Sequence, residues 1–288
     1  MSAVGRLPAG AAIGSVALAV ADLDRSLAFW RDAVGFNLIH RDVARAVLGV
    51  GTTTLLTLVL RPGAVPQPRF STGLFHLAVL LPTRRDLART VRHVGEAGYS
   101  FYGASDHNVS EAFYLDDPDQ NGVELYRDRR REQWEWRDGL VRMGTQALDV
   151  DDVLGELEGD TARWAGLPVE TRIGHVHLKV GDLVNADRFY RETLGFDLTQ
   201  RMQGALFFSA GGYHHHVGTN VWQSGGAPPP PPNAAGLLEF TISLPASTDL
   251  SSLAARFKRS GAAVERFGDA LRLTDPWGHR LNFVVQST

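Results

Sequence analysis

The sequence predicts an α+β protein built from four βαβββ modules, and three observations carry that prediction. Residues 13–38 (IGSVALAVADLDRSLAFWRDAVGFNL) align without gaps to residues 173–198 (IGHVHLKVGDLVNADRFYRETLGFDL) with twelve identities, which marks a duplication. Weaker pairs link GLFHLAVLLP at 73–82 to GLLEFTISLP at 236–245, and DPDQNGVEL at 117–125 to DPWGHRLN at 275–282, which raises the count of units to four. Each unit opens on an alternating apolar strand and continues into a turn and an amphipathic helix, a switch of hydrophobic period from two to 3.6.

Module 1 spans 12–62. Val16, Leu18 and Val20 share one face of its first strand, and a helix is predicted from Leu23 to Val34, stopped by Gly35. Short strands with glycine turns follow, as in AVLGVG and TTTLLTLVL. Module 2 spans 73–127, module 3 spans 173–225 with the strands GALFFSAGG and YHHHVGTNVW, and module 4 spans 236–286. Proline-rich stretches at 62–68 and 228–232 sit at equivalent places and read as stiff extended connectors. Residues 128–172 match no repeat and form a linker between the halves; their alternating charges read as solvated surface, with Trp134 and Trp136 packing the segment down.

Composition narrows the chemistry. With 288 residues, 44% of them hydrophobic and 21% charged, the chain is globular and not disordered. A net charge of −3 gives no field for nucleic acid, and the apolar run at 12–20 is too short to span a membrane, so a cytoplasmic location is expected. There is no cysteine, so any metal must be held by His, Asp or Glu.

Four βαβββ units with these openings resemble the vicinal oxygen chelate superfamily of glyoxalases, bleomycin-resistance proteins and extradiol dioxygenases. Unit 2 adds a narrower pattern: His107, Phe113-Tyr114, Asp117-Pro118 and Glu124 are similar to the extradiol dioxygenase signature, with Ser105 and Gln120 departing from it at turn positions. The group resembled most is the catechol-2,3-dioxygenase-like one. The resemblance implies that modules pair into two eight-stranded, U-shaped sheets with helices outside. It also implies that ligands come from first strands (Ser15, His76, His175, Glu239) and last strands (about Thr54, Glu124, one of His214 to His216, Asn282).

A facial set of two histidines and one carboxylate leaves positions free for a diol and O₂. Pairing modules 2 and 3 collects His76, Glu124 and His175 in one cleft and leaves modules 1 and 4 ligand-poor. The competing set is His175, His216 and Glu239. Alternation along strands places His175, His177 and Lys179 on one face, and turns His214 and His216 together with His215 away. Asn220 and Trp222 then share the face of His216, so His214, Asn220 and Trp222 are read as a substrate wall. His40, His93 and His279 are read as surface residues.

The resemblance implies an extradiol ring-cleaving dioxygenase using Fe(II), with Mn(II) as the alternative ion, on a catechol- or hydroquinone-type diol and O₂. In that scheme His107 or His216 handles the proton of the second hydroxyl, and Tyr114 donates a hydrogen bond to the diol oxygen. The alternatives are a glyoxalase-like metal-dependent lyase or isomerase and a metal-free binding or resistance protein. Members of the superfamily often associate, so a homo-oligomer is compatible with the chain.

Overall fold

The computed structural model describes residues 5–245 and 250–285, so residues 246–249 and 286 of module 4 lie outside the described part. Module 1 contributes β1 (Ala12–Val20), β2 (Asn37–Arg41), β3 (Arg45–Val50) and β4 (Thr53–Leu60), and module 2 contributes β5 (Gly73–Leu80), β6 (Gly103–Asp106), β7 (Ser110–Asp116) and β8 (Gly122–Asp128). The linker carries β9 (Trp136–Arg137), β10 (Leu140–Val141) and β11 (Gln146–Ala147). Module 3 holds β12 (Arg172–Lys179), β13 (Asp197–Met202), β14 (Ala205–Ser209) and β15 (Val217–Asn220). Module 4 holds β16 (Gly236–Leu244), β17 (Val264–Phe267), β18 (Ala270–Thr274) and β19 (Arg280–Val285).

Among the described residues these strands form two large mixed sheets, apart from β9 and β10, which pair with each other. One has eight strands in the order β17-β18-β19-β16-β1-β4-β3-β2, and the other nine in the order β11-β6-β7-β8-β5-β12-β15-β14-β13. Modules 1 and 4 therefore share one sheet and modules 2 and 3 the other, joined at antiparallel pairs of first strands, β1 with β16 and β5 with β12. Within each module the first and last strands run parallel. The ninth strand is β11, which the linker adds to the edge of β6.

The helices are α1 (Leu23–Leu27), α2 (Arg84–Glu96), α3 (Val150–Gly155), α4 (Leu183–Ala186) and α5 (Leu250–Arg259). Asp22 and Asp182 cap α1 and α4 by accepting backbone N–H bonds, the role that favours Asp at that place. The helix expected over Leu23 to Val34 is not uniform: α1 widens into a π-helix at Ala28–Ala33, and α4 does the same at Asp187–Thr193. The Val34 and Leu194 N–H groups donate to the carbonyls of Phe29 and Phe189, five residues back. The wider turn buries the neighbours Phe29 and Trp30, and Phe189 and Tyr190, together. Gly35 and Gly195 end these segments at φ of 102° and 86°, which a side chain resists.

The core is continuous through both sheets and holds Trp30, Tyr190, Phe208, Phe240, Phe257 and Phe283 without solvent contact. Polar ties also cross between modules. Arg25 pairs with the buried carboxylate of Asp119, and the Tyr190 hydroxyl donates to Asp275 at 2.9 Å. The proline-rich connectors lie side by side, bridged between Val65 and Ala234. In the linker Trp134 is buried, whereas Trp136 is exposed and does not pack the segment down. No helix among the described residues is long and apolar enough to cross a membrane.

Candidate metal centre and cavity

β5 and β12 lie side by side at the middle of the nine-stranded sheet, and β8 flanks β5. His76 on β5, Glu124 on β8 and His175 on β12 converge there, all buried. His76 Nε2 is 2.9 Å and His175 Nε2 3.1 Å from Glu124 Oε2, and the two Nε2 atoms are 3.2 Å apart. Three donors about 2.1 Å from one ion at right angles would lie about 3.0 Å apart, against about 3.4 Å for a tetrahedral arrangement. The triangle fits one face of an octahedron. The protonation of His175 and Glu124 fits as well. Burial pushes the His175 imidazole down, so it is neutral. Burial alone would raise Glu124, but His175 and His76 outweigh it and hold the carboxyl well below its usual range. A neutral imidazole and an ionised carboxylate are the forms in which such side chains take up a divalent ion.

The triad lies in the wall of a cavity of about 480 Å³. Phe75, Tyr102, Phe207 and Trp222 give it aromatic walls, and His107, Tyr114, His177 and His215 bring polar groups into it. Met143, Gly144 and Thr145 of the linker also line it, so the segment that matched no repeat completes the cavity.

His107 and Tyr114 act as a unit. His107 Nδ1–H donates to the Gly144 carbonyl at 2.6 Å, so the neutral ring accepts the Tyr114 hydroxyl at Nε2, also at 2.6 Å. Burial, then the charge of Glu124, raises Tyr114 well above the ordinary phenol range and keeps it protonated. At the turn before Glu124, Gln120 sits at φ 65°, the conformation for which glycine is suited.

The His214 to His216 run corrects the alternation reading. These residues lie ahead of β15 in irregular chain, not in a strand. His215 lines the cavity, its ring 4.0 Å from that of His175. His216 does not line it; its Nδ1 meets the Ser209 hydroxyl at 3.1 Å and the Ala210 N–H at 3.2 Å, and its ring packs on Tyr213. His214 is likewise outside the wall, bonded to Asp128. Asn220 stands behind the wall and donates to His177 Nε2 at 3.1 Å, while Trp222 lines the cavity itself.

Among the described residues, the equivalent positions of the other sheet hold no such cluster. Arg272 donates to Asn282 at 2.9 Å and to Glu239 at 3.2 Å, and Ser15 donates to Thr241 at 3.3 Å. The set His175, His216 and Glu239 is therefore not assembled. Nor is His279 a surface residue: it is buried and donates to Asp275 at 2.7 Å. His93 stacks on Trp164.

The model of the Glyoxalase/Bleomycin resistance protein/Dioxygenase superfamily matches residues 12–125 and 172–283. The chain belongs to this superfamily. It is 43% identical over 279 residues to the catechol-2,3-dioxygenase of Bacillus subtilis (strain 168), covering 95% of this chain and 97% of the relative. Among solved structures it shares the superfamily's fold with a putative dioxygenase from Bacillus subtilis subsp. subtilis str. 168, at a TM-score of 0.65 and 10% identity over 99% of this chain and 87% of the other. Glyoxalase I from Zea mays also has this fold, at 0.60 and 17% identity over 96% and 92%.

Proposed function

We propose that the chain is an extradiol dioxygenase that opens the ring of a catechol- or hydroquinone-type aromatic beside its hydroxyls, with His76, Glu124 and His175 holding Fe(II). The observation that carries this reading is the buried facial triangle of donors in the wall of an aromatic-lined cavity. The 43% identical relative that bears the name catechol-2,3-dioxygenase supports it. Fe(II), when bound, supplies the electron exchange between diol and O₂ that neither manages alone.

The protein's own groups position the diol and handle its protons. Phe75, Phe207 and Trp222 hold the ring between aromatic surfaces and exclude water. Tyr114 points its hydroxyl hydrogen at His107 while that ring is neutral. As the first diol hydroxyl passes its proton to the Tyr114 oxygen, the Tyr114 hydrogen moves to His107 Nε2, and the hydrogen then on Tyr114 is donated to the diol oxygen, where charge develops. His215, not His216, is the imidazole placed to receive the proton of the second hydroxyl.

The test is oxygen uptake by Fe(II)-reconstituted protein on catechol and hydroquinone, with absorbance of the ring-opened product. One O₂ consumed per diol lost, with both oxygen atoms in the product, is expected. Products that carry no oxygen from O₂, or conversion of a 2-oxoaldehyde–thiol adduct in place of diols, would replace this reading with a lyase or isomerase.

A further inference from the structure

His215 ends a chain of hydrogen bonds that begins at Asp128, the last residue of β8. As a carboxylate, Asp128 can only accept, and its Oδ1 lies 2.9 Å from His214 Nε2 and 3.3 Å from the Tyr213 hydroxyl. Tyr213 donates there and is in turn the acceptor for the Tyr126 hydroxyl at 2.7 Å. His214 is thus obliged to carry its proton on Nε2. Its Nδ1, left with a lone pair, is 2.8 Å from His215 Nδ1. A contact of that length between two ring nitrogens needs one hydrogen, which with a neutral His214 comes from His215. The proton of neutral His215 is thereby placed on Nδ1, and Nε2 keeps a lone pair. That Nε2 is buried and has no partner among the described residues, while the ring lines the cavity between His175 and Phe207.

We propose that Asp128 and His214 are positioning residues that fix the tautomer of His215, so that Nε2 presents an acceptor, not an N–H, to the diol in the cavity. The proposal rests on the diol reading of the cavity. The packing is suited to the task. The rings of Tyr213 and Trp134 lie 4.2 and 5.3 Å from that of His214, which fixes its orientation, and Tyr213 adds the second bond that holds Asp128. An acceptor at His215 Nε2 takes a hydrogen bond from the hydroxyl that must lose its proton, whereas an N–H there has no lone pair to receive that proton. A carboxylate that holds an imidazole in its working tautomer is a known way to make a histidine an effective base.

The test has two readouts on the full chain. Long-range ¹H–¹⁵N correlation spectra of ¹⁵N-histidine-labelled protein loaded with Zn(II), a diamagnetic ion, report the tautomer of His215 without any substrate. The expected spectrum has His215 protonated at Nδ1 and bare at Nε2, with an Nε2–H form emerging in Asp128→Ala and in His214→Phe. On catechol with Fe(II), both variants are expected to lose about 100-fold in kcat with KM and iron content unchanged. A wild-type His215 protonated at Nε2, or a bare Nε2 kept in both variants, overturns the proposal. Because the spectra need no turnover, failure to cleave catechol would sink the dioxygenase reading and leave the tautomer result to stand or fall separately.

Discussion

Gly174 on β12 is packed so tightly beside the triad that a single methyl group there should disturb both stability and metal retention. A Cβ at 174 would lie 1.7 Å from the Tyr126 hydroxyl oxygen and 2.7 Å from its Cζ. Tyr126 is fully buried, its ring 5.0 Å from that of His175, and its hydroxyl bonds to Tyr213 at 2.7 Å. In Gly174→Ala the tyrosine must therefore move, breaking a buried hydroxyl pair at about 1–3 kcal/mol and adding about 1–3 kcal/mol of overpacking. A loss of about 3 kcal/mol corresponds to a fall of roughly 6–12 °C in melting temperature. The assay is thermal unfolding by circular dichroism alongside Fe(II) titration, which should show weaker binding as His175 is pushed. Tyr126→Phe removes the closest clashing atom, so the double variant should lose less than the sum of the singles by about 1 kcal/mol or more. A melting temperature within about 2 °C of wild type for Gly174→Ala, or strict additivity, would refute the packing argument.

Arg272→Ala should cost about 1 kcal/mol in urea unfolding and leave iron content and oxygen uptake unchanged, because its partners Glu239 and Asn282 lie in the other sheet. Burial would raise the Asp275 carboxyl, but His279 and the bonds from Tyr190, Trp277 and His279 hold it below its ordinary value. A depressed carboxylate contributes stability that is present above the unfolded value of about 4 and lost as pH falls through the folded one. Asp275→Asn should therefore lose about 2 kcal/mol at pH 7, and the gap to wild type should narrow below about pH 4 in acid unfolding series. His216→Ala should keep its iron and most of its turnover, whereas His215→Ala should keep iron and lose about 100-fold in kcat on catechol.

The fold was legible because the duplicated residues sit where backbone geometry is most demanding. Asp22 and Asp182 cap helices, and Gly35 and Gly195 take positive φ, so those identities survive as a readable frame. His76 and Glu124 stood out because they open and close one module. What the sequence could not convey was the course of chain that has no period. Alternation over His214 to His216 presumes a strand that begins right after the Gly211-Gly212 turn, at φ 63° and 67°, but the strand begins only at Val217. Met143, Gly144 and Thr145 had no signal at all, since they match no repeat and depend on the linker's path across β6. The π-helices were equally hidden, because the apolar spacing of Leu23 to Val34 suits an ordinary helix.

The most direct test of the proposed centre is iron quantitation after anaerobic Fe(II) loading, with oxygen uptake on catechol, for wild type and for His76→Ala, Glu124→Ala and His175→Ala. One iron per chain and catechol-dependent oxygen uptake in wild type, both lost in each of the three variants, are the predicted results. Iron and turnover retained in His175→Ala or Glu124→Ala, or an iron-loaded wild type that consumes no oxygen with catechol, would contradict the assignment.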